Sequence, residues 1–137
     1  MSDDFIRNDQ VQAALVAYAK GKSNITDQVT ADEVREDQWQ GTEFTYPNIR
    51  IRMIDNAPVA GKGCRQDLEL SWMVFTEDSS SLEADKIAGI ISTELHTRQF
   101  SSNNFAFGLR TTNVVPAIRI DERTWRSEVL MSGTVSG

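Results

Sequence analysis

Cysteine and histidine are nearly missing from these 137 residues, one of each, and there are only three prolines. With Cys64 alone no internal disulfide can form, so the fold has to rest on its core, and a cytosolic setting is the expectation. Nor can Cys64 and His96 between them assemble a zinc site, and the acidic run Asp32, Glu33, Glu36, Asp37 has no calcium-loop spacing. Long apolar runs are absent as well. Nothing approaches the roughly 20 residues needed to cross a bilayer, and the Met-Ser-Asp-Asp start lacks the basic end and apolar stretch of an export signal. A membrane partner is therefore not expected. Dense Lys or Arg runs are also lacking and the net charge is -6, which argues against an electrostatic grip on phosphates. An acidic surface still suits a protein past which DNA slides without adhering.

Catalytic signatures are equally scarce. No G-x-S-x-G elbow activates a serine, and Gly61-Lys62-Gly63 lacks the leading glycine and the following Ser or Thr of a phosphate-binding loop. His96, next to Leu95 at the end of a predicted helix, reads as a cation near the negative helix end or as a boundary residue, and Cys64 as a structural thiol. Asn24-Ile25-Thr26 fits the glycosylation sequon by letters alone. The expectation is no enzyme, no catalytic residue, no cofactor and no metal.

What the chain does have is clearest between Asp67 and Arg98. Leu68, Leu70, Trp72 and Val74 alternate with Glu69, Ser71, Met73 and Phe75, which predicts a strand with one core face. Glu77 to Ser81 interrupts it. Ser80 and Glu83 have capping-box spacing, and Ala84, Ile87, Ala88, Ile91 and Leu95 form one apolar helical stripe. Asn8 to Lys20, rich in alanine and closed by Gly21, predicts a first helix that could begin as early as Asp3, and Gly21 to Asp27 a polar connection. A short strand is expected around Val34, then a strand over Asn48 to Asp55 with Ile49, Ile51 and Met53 opposite Arg50, Arg52 and Ile54. The stretch Asn56 to Gly63 reads as the loop of a long hairpin, Gln99 to Asn104 as a polar turn, and Pro116 as the break between a strand starting at Phe105 and a last one around Trp125 to Met131. Ser132 to Gly137 reads as a mobile tail. The fold class is α+β, a single domain over residues 1-137 with an antiparallel sheet of four to five strands and two helices packed on one face.

Trp72 and Trp125 fall in phase with core positions, whereas Trp39 lies in a polar segment and suits an exposed or interface position as well as burial. The second face of the sheet mixes Ile54, Met73 and Phe75 with Arg50, Arg52 and Glu69, a pattern that fits either ordinary cross-strand pairing or a contact between subunits. Arg50, Arg52, Ile54, Glu69, Met73, Phe75 and Trp39 are the candidate oligomer interface.

Several stretches together carry a family likeness: the alanine-rich first helix, EVREDQWQGTEFTYPNIRIRM (Glu33 to Met53) with Tyr46-Pro47 entering a strand, SSSLEADKIAGIISTEL, and RTWRSEVLM (Arg123 to Met131). In arrangement the sequence resembles the tail-terminator, or tail-completion, proteins of long-tailed bacteriophages. That resemblance implies a structural virion protein at the neck of the tail, assembled in the host cytoplasm as a homo-oligomeric, typically hexameric ring. Such a ring caps the tail tube, ends its polymerisation and offers the head-tail joining surface. Its implied partners are the tail tube protein, the head connector or stopper protein, and genomic DNA passing through the lumen without specific binding. Alternatives are another neck component such as a connector stopper, the tube protein itself, a dimeric adaptor, and a small-molecule-binding or enzymatic α+β domain with its ligand near Trp39 or His96.

Overall fold

The computed structural model describes residues 5–37, 45–59, 65–96 and 98–137. Its elements run α1 (Asn8–Lys20), α2 (Ser23–Thr26), a 3-10 turn (Ala31–Glu33), β1 (Val34–Glu36), β2 (Asn48–Pro58), β3 (Gln66–Glu77), α3 (Leu82–Leu95), β4 (Arg98–Ser102), β5 (Phe105–Arg119) and β6 (Thr124–Ser136). The six strands form one sheet in the order β1-β2-β3-β6-β5-β4. Every neighbouring pair is antiparallel except β1 with β2, which is parallel.

Strand alternation sends Ile49, Ile51, Leu68, Leu70, Trp72, Val74, Phe107, Leu109, Val129, Met131 and Val135 to the same side, where α1 and α3 cover them. Helical spacing supplies Val11, Ala14, Leu15 and Ala19 from α1 and Ile87, Ala88, Ile91 and Leu95 from α3, so the core is continuous. The sheet curls round α1, which meets β1 and β2 at one edge and β4 at the other. At the β4 edge Tyr18 stacks on Phe100 with ring centroids 3.7 Å apart, and the Ser102 hydroxyl donates to the Ala14 carbonyl at 2.7 Å. Because of this curl, one short helix contacts both edges of the sheet.

Six strands replace the expected four to five, and the difference has local causes. The polar stretch from Gln99 is mostly strand: only Asn103 and Asn104 turn, at φ 51 and 68, a left-handed pair that asparagine tolerates and that tight hairpins require. Pro116 does not end β5. It lies where the register slips between Val115 and Ile118, and a bulge accepts a residue without an N–H. Ser132 to Ser136 is no tail either, since β6 continues through it between β3 and β5 and Val135 is fully buried. The small residues there answer a steric demand: a Cβ on Gly133 would lie 2.0 Å from the Gly108 carbonyl oxygen. Asn56 to Pro58, read as loop, is the end of β2 paired with β3.

The helices carry smaller corrections. α1 starts at Asn8 rather than near Asp3, with the Arg7 N–H donating to Gln10 Oε1 at 2.9 Å. The connection after Gly21 contains the single-turn α2. Ser81, not Ser80, precedes α3, and the Ser80 hydroxyl accepts from the Leu82 N–H at 3.2 Å, so Ser80 and Glu83 make no capping box. One residue of α3 has no explanation inside the chain. Gly89 lies mid-helix on the exposed side, a placement that costs roughly 0.5–1 kcal/mol relative to alanine, yet a Cβ there would meet nothing within 4 Å.

Candidate assembly surface

Residues pointing away from the helices line up in rows across four strands. From β2 to β5 these read Asn48–Phe75–Arg126–Ile118, Arg50–Met73–Glu128–Val115 and Arg52–Ser71–Leu130–Asn113. Beyond a bulge between Met53 and Asp55 they continue as Asp55–Glu69–Ser132–Arg110 and Ala57–Asp67–Thr134–Gly108. The open face therefore has an apolar half with arginines near the β5–β6 turn and a half of carboxylates and small polar residues at the other end.

Register thus brings Arg50, Arg52, Glu69, Met73 and Phe75 onto one face, as alternation predicted, while Ile54 is the extra residue of the bulge. Their exposure differs. Arg50, Met73 and Phe75 are buried at 2%, 6% and 4%, and Arg52, Glu69 and Ile54 are exposed. Arg50 is held inside the protomer: its Nη1 donates to the Glu33 carbonyl at 2.6 Å and its Nη2 to Glu33 Oε1 at 2.9 Å, fixing the turn that leads into β1. Burial of a guanidinium is tolerable only with such partners. Glu128 is shared, pairing with Arg126 at 3.6 Å and accepting from the Ser71 hydroxyl at 2.9 Å. Trp39 lies outside the described residues, as do Cys64 and Gly61-Lys62-Gly63.

Among the described residues, Val114 is exposed on the helix-side face opposite Val129, and Leu82, Ile118 and Ile120 are large apolar side chains left exposed at the end of the molecule where α3 begins and the β5–β6 hairpin turns. The Ala117 N–H donates to Asp85 Oδ1 at 2.8 Å and ties these two elements together. Treating Pro116 as a strand break hid this group from the sequence reading. The alternation that could have found it, Val115 with Ile118 and Ile120 across a one-residue bulge, spans that proline.

His96 follows α3 directly, exposed, and its Nδ1 accepts the Thr111 N–H at 2.7 Å, which ties the helix end to β5. Beside it the Ser92 and Thr111 hydroxyls lie 2.9 Å apart. Trp125 Nε1 donates to the Asp78 carbonyl at 3.1 Å, so this indole braces the turn before α3. Among the described residues no three His, Cys, Asp or Glu side chains come together as a metal cage, and none of their helices is long and apolar enough to cross a membrane.

No protein-family model and no curated protein matches the chain. A solved structure does: a chain of the "Virion of native gene transfer agent (GTA) particle" is similar, with a TM-score of 0.75 and 16% identity, over 93% of this chain and 95% of that one. At that identity the likeness is one of fold, and it runs almost end to end.

Proposed function

We propose that this chain is a structural protein of a phage-like particle, and within it the ring that caps the tail tube, ends its polymerisation and presents the joining surface for the head. The carrying observation is the near full-length likeness of fold to a chain from a virion particle. The open sheet face, with apolar residues among paired charges, supports a role in contact between copies. A net charge of -6 agrees with a lumen through which DNA passes without adhering. No enzymatic step and no cofactor enters this reading.

Six or so copies would stand at the neck of the tail, assembled in the host cytoplasm, with the tube protein on one side and the head connector on the other. Each contact in a closed ring joins two different patches of the same protein. On the open face such a patch comprises Arg52, Ile54 and Glu69, extended by Ile118 and Ile120, with Arg50, Met73 and Phe75 sharing that face but buried within the protomer. Trp39 stays in the proposed interface on the strength of its sequence setting.

Negative-stain imaging of the purified protein, alone and with tail tubes, tests the reading directly. Rings that sit on tube ends are expected. Particles made without the gene should have unjoined heads and tails, with tails of irregular or excessive length. Tails of normal length in that deletion would exclude the terminator role, and failure only of head joining would move the protein to the connector side.

A further inference from the structure

Two features at different places on the molecule are unexplained by its own fold, and they fit each other. The first is a groove of about 450 Å³ between α2 and α3. Gly89 and Ile90 lie on its wall, with Lys86 a turn before them and Glu94 a turn after. Glu94 is held in place by Asn24, whose Nδ2 donates to Glu94 Oε1, and Lys86 has no ion-pair partner among the described residues. Glycine weakens a helix, and neither backbone conformation nor any neighbour within 4 Å demands one at Gly89. A missing side chain lets a group from outside the chain approach the helix backbone closely.

The second feature is the β5–β6 turn. Ile120 stands exposed there between Arg119 on one side and Asp121 and Glu122 on the other. The turn has a defined shape: the Ile120 N–H donates to the Thr124 carbonyl at 2.9 Å and the Glu122 N–H to Asp121 Oδ1 at 2.7 Å. Arg123 is tied back at its carbonyl by the Asp78 N–H at 2.9 Å.

We infer that the β5–β6 turn of one copy seats in the α2–α3 groove of the next, with Ile120 over Gly89. The order of charges along α3 is complementary to that of the turn, and Asp27 adds a second carboxylate to the groove lining. Along α3 the order runs cation, Gly89 and Ile90, anion; along the turn it runs cation, Ile120, anion. Antiparallel placement brings Arg119 to Glu94 and Glu122 to Lys86. In its own chain β5 meets α3 at Asp85 through the Ala117 N–H, one turn before Gly89, and no residue of β5 or β6 lines the groove. A contact between two different patches propagates head to tail and closes when the rotation allows. This inference rests on the ring reading and assigns it a contact.

Light scattering behind gel filtration, paired with thermal unfolding, tests it on the full chain. Gly89→Trp fills the groove from an open position, and Ile120→Asp removes the knob from an exposed turn. Both should require at least tenfold more protein to assemble than wild type, with a melting temperature within a few degrees of it. Lys86→Glu and Glu122→Lys should each weaken assembly, and the double variant should recover most of it. A wild-type ring that persists in Gly89→Trp and Ile120→Asp overturns this contact and leaves the ring reading standing. A wild-type protein that stays monomeric at every concentration overturns both. Intact rings that lose only their grip on tail tubes would give the groove to the tube subunit, against a second copy.

Discussion

The two faces of the sheet are built by the same alternation and come to different ends. On the helix side the row Ile51–Trp72–Val129 is buried by α1 and α3 and reaches an exposed residue only at Val114 of β5. On the open side the adjacent row Arg50–Met73–Glu128–Val115 begins buried around an ion pair and becomes progressively accessible, and the next leads to Ile118 at 49% exposure. Folding of the single chain accounts for the buried part of the first face. It gives no reason for an exposed Ile118 or Ile120, or for Gly89 in the middle of a helix. Those features cost stability or solubility in a lone protomer, and the proposed contact between copies would account for them.

Substitutions on the helix side should break the comparison outright. Ile91→Asp puts a carboxylate into the core, a loss of several kcal/mol and comparable with the whole stability of a domain. Its helical circular dichroism and cooperative melting should both disappear. At the seam between β5 and β6, Gly133→Val should cost about 1–3 kcal/mol because its side chain meets the neighbouring backbone. Chemical denaturation would show a lower midpoint with an unchanged slope, and an unaltered midpoint would mean that the strands can separate there.

Arg50 lies between the two regimes. Truncation to alanine leaves the largely buried Glu33 carboxylate without its cation, at a cost of about 1.5–3 kcal/mol. Reversing its charge would therefore report on folding as much as on assembly. The open face proper is better probed at Arg52, which is exposed. Arg52→Glu should change stability by no more than about 0.5 kcal/mol while lowering the assembled mass at a given concentration. Equal losses in the Arg50 and Arg52 variants would erase the distinction between the packed layer and the exposed one.

Legibility followed how local each cause is. Helix α1 from Asn8 to Lys20, the β2–β3 hairpin and the α3 stripe are written in spacing that a short window contains. Likewise the shared face of Arg50, Arg52, Met73 and Phe75 follows from alternation alone. Pro116 and the Ser132 to Ser136 run were misleading because the usual preferences of proline and small residues describe isolated segments, and here neighbouring strands override them. That Arg50 is buried could not be read, since its partner Glu33 is 17 residues away and reaches it through a parallel pairing.

By itself the sequence determined the layering: one apolar stripe per helix and one apolar face per strand leave little choice but helices on one side of a sheet. Nothing in it beyond local period and charge was needed for that, because burial of apolar area is additive and direction-blind. Tertiary structure alone decided which strands are neighbours, that α1 meets both edges of a curled sheet, and that Ile118, Ile120 and Leu82 gather at one end while Gly89 faces open space. Such juxtapositions depend on contacts between residues far apart in the chain, whose closure no local preference encodes.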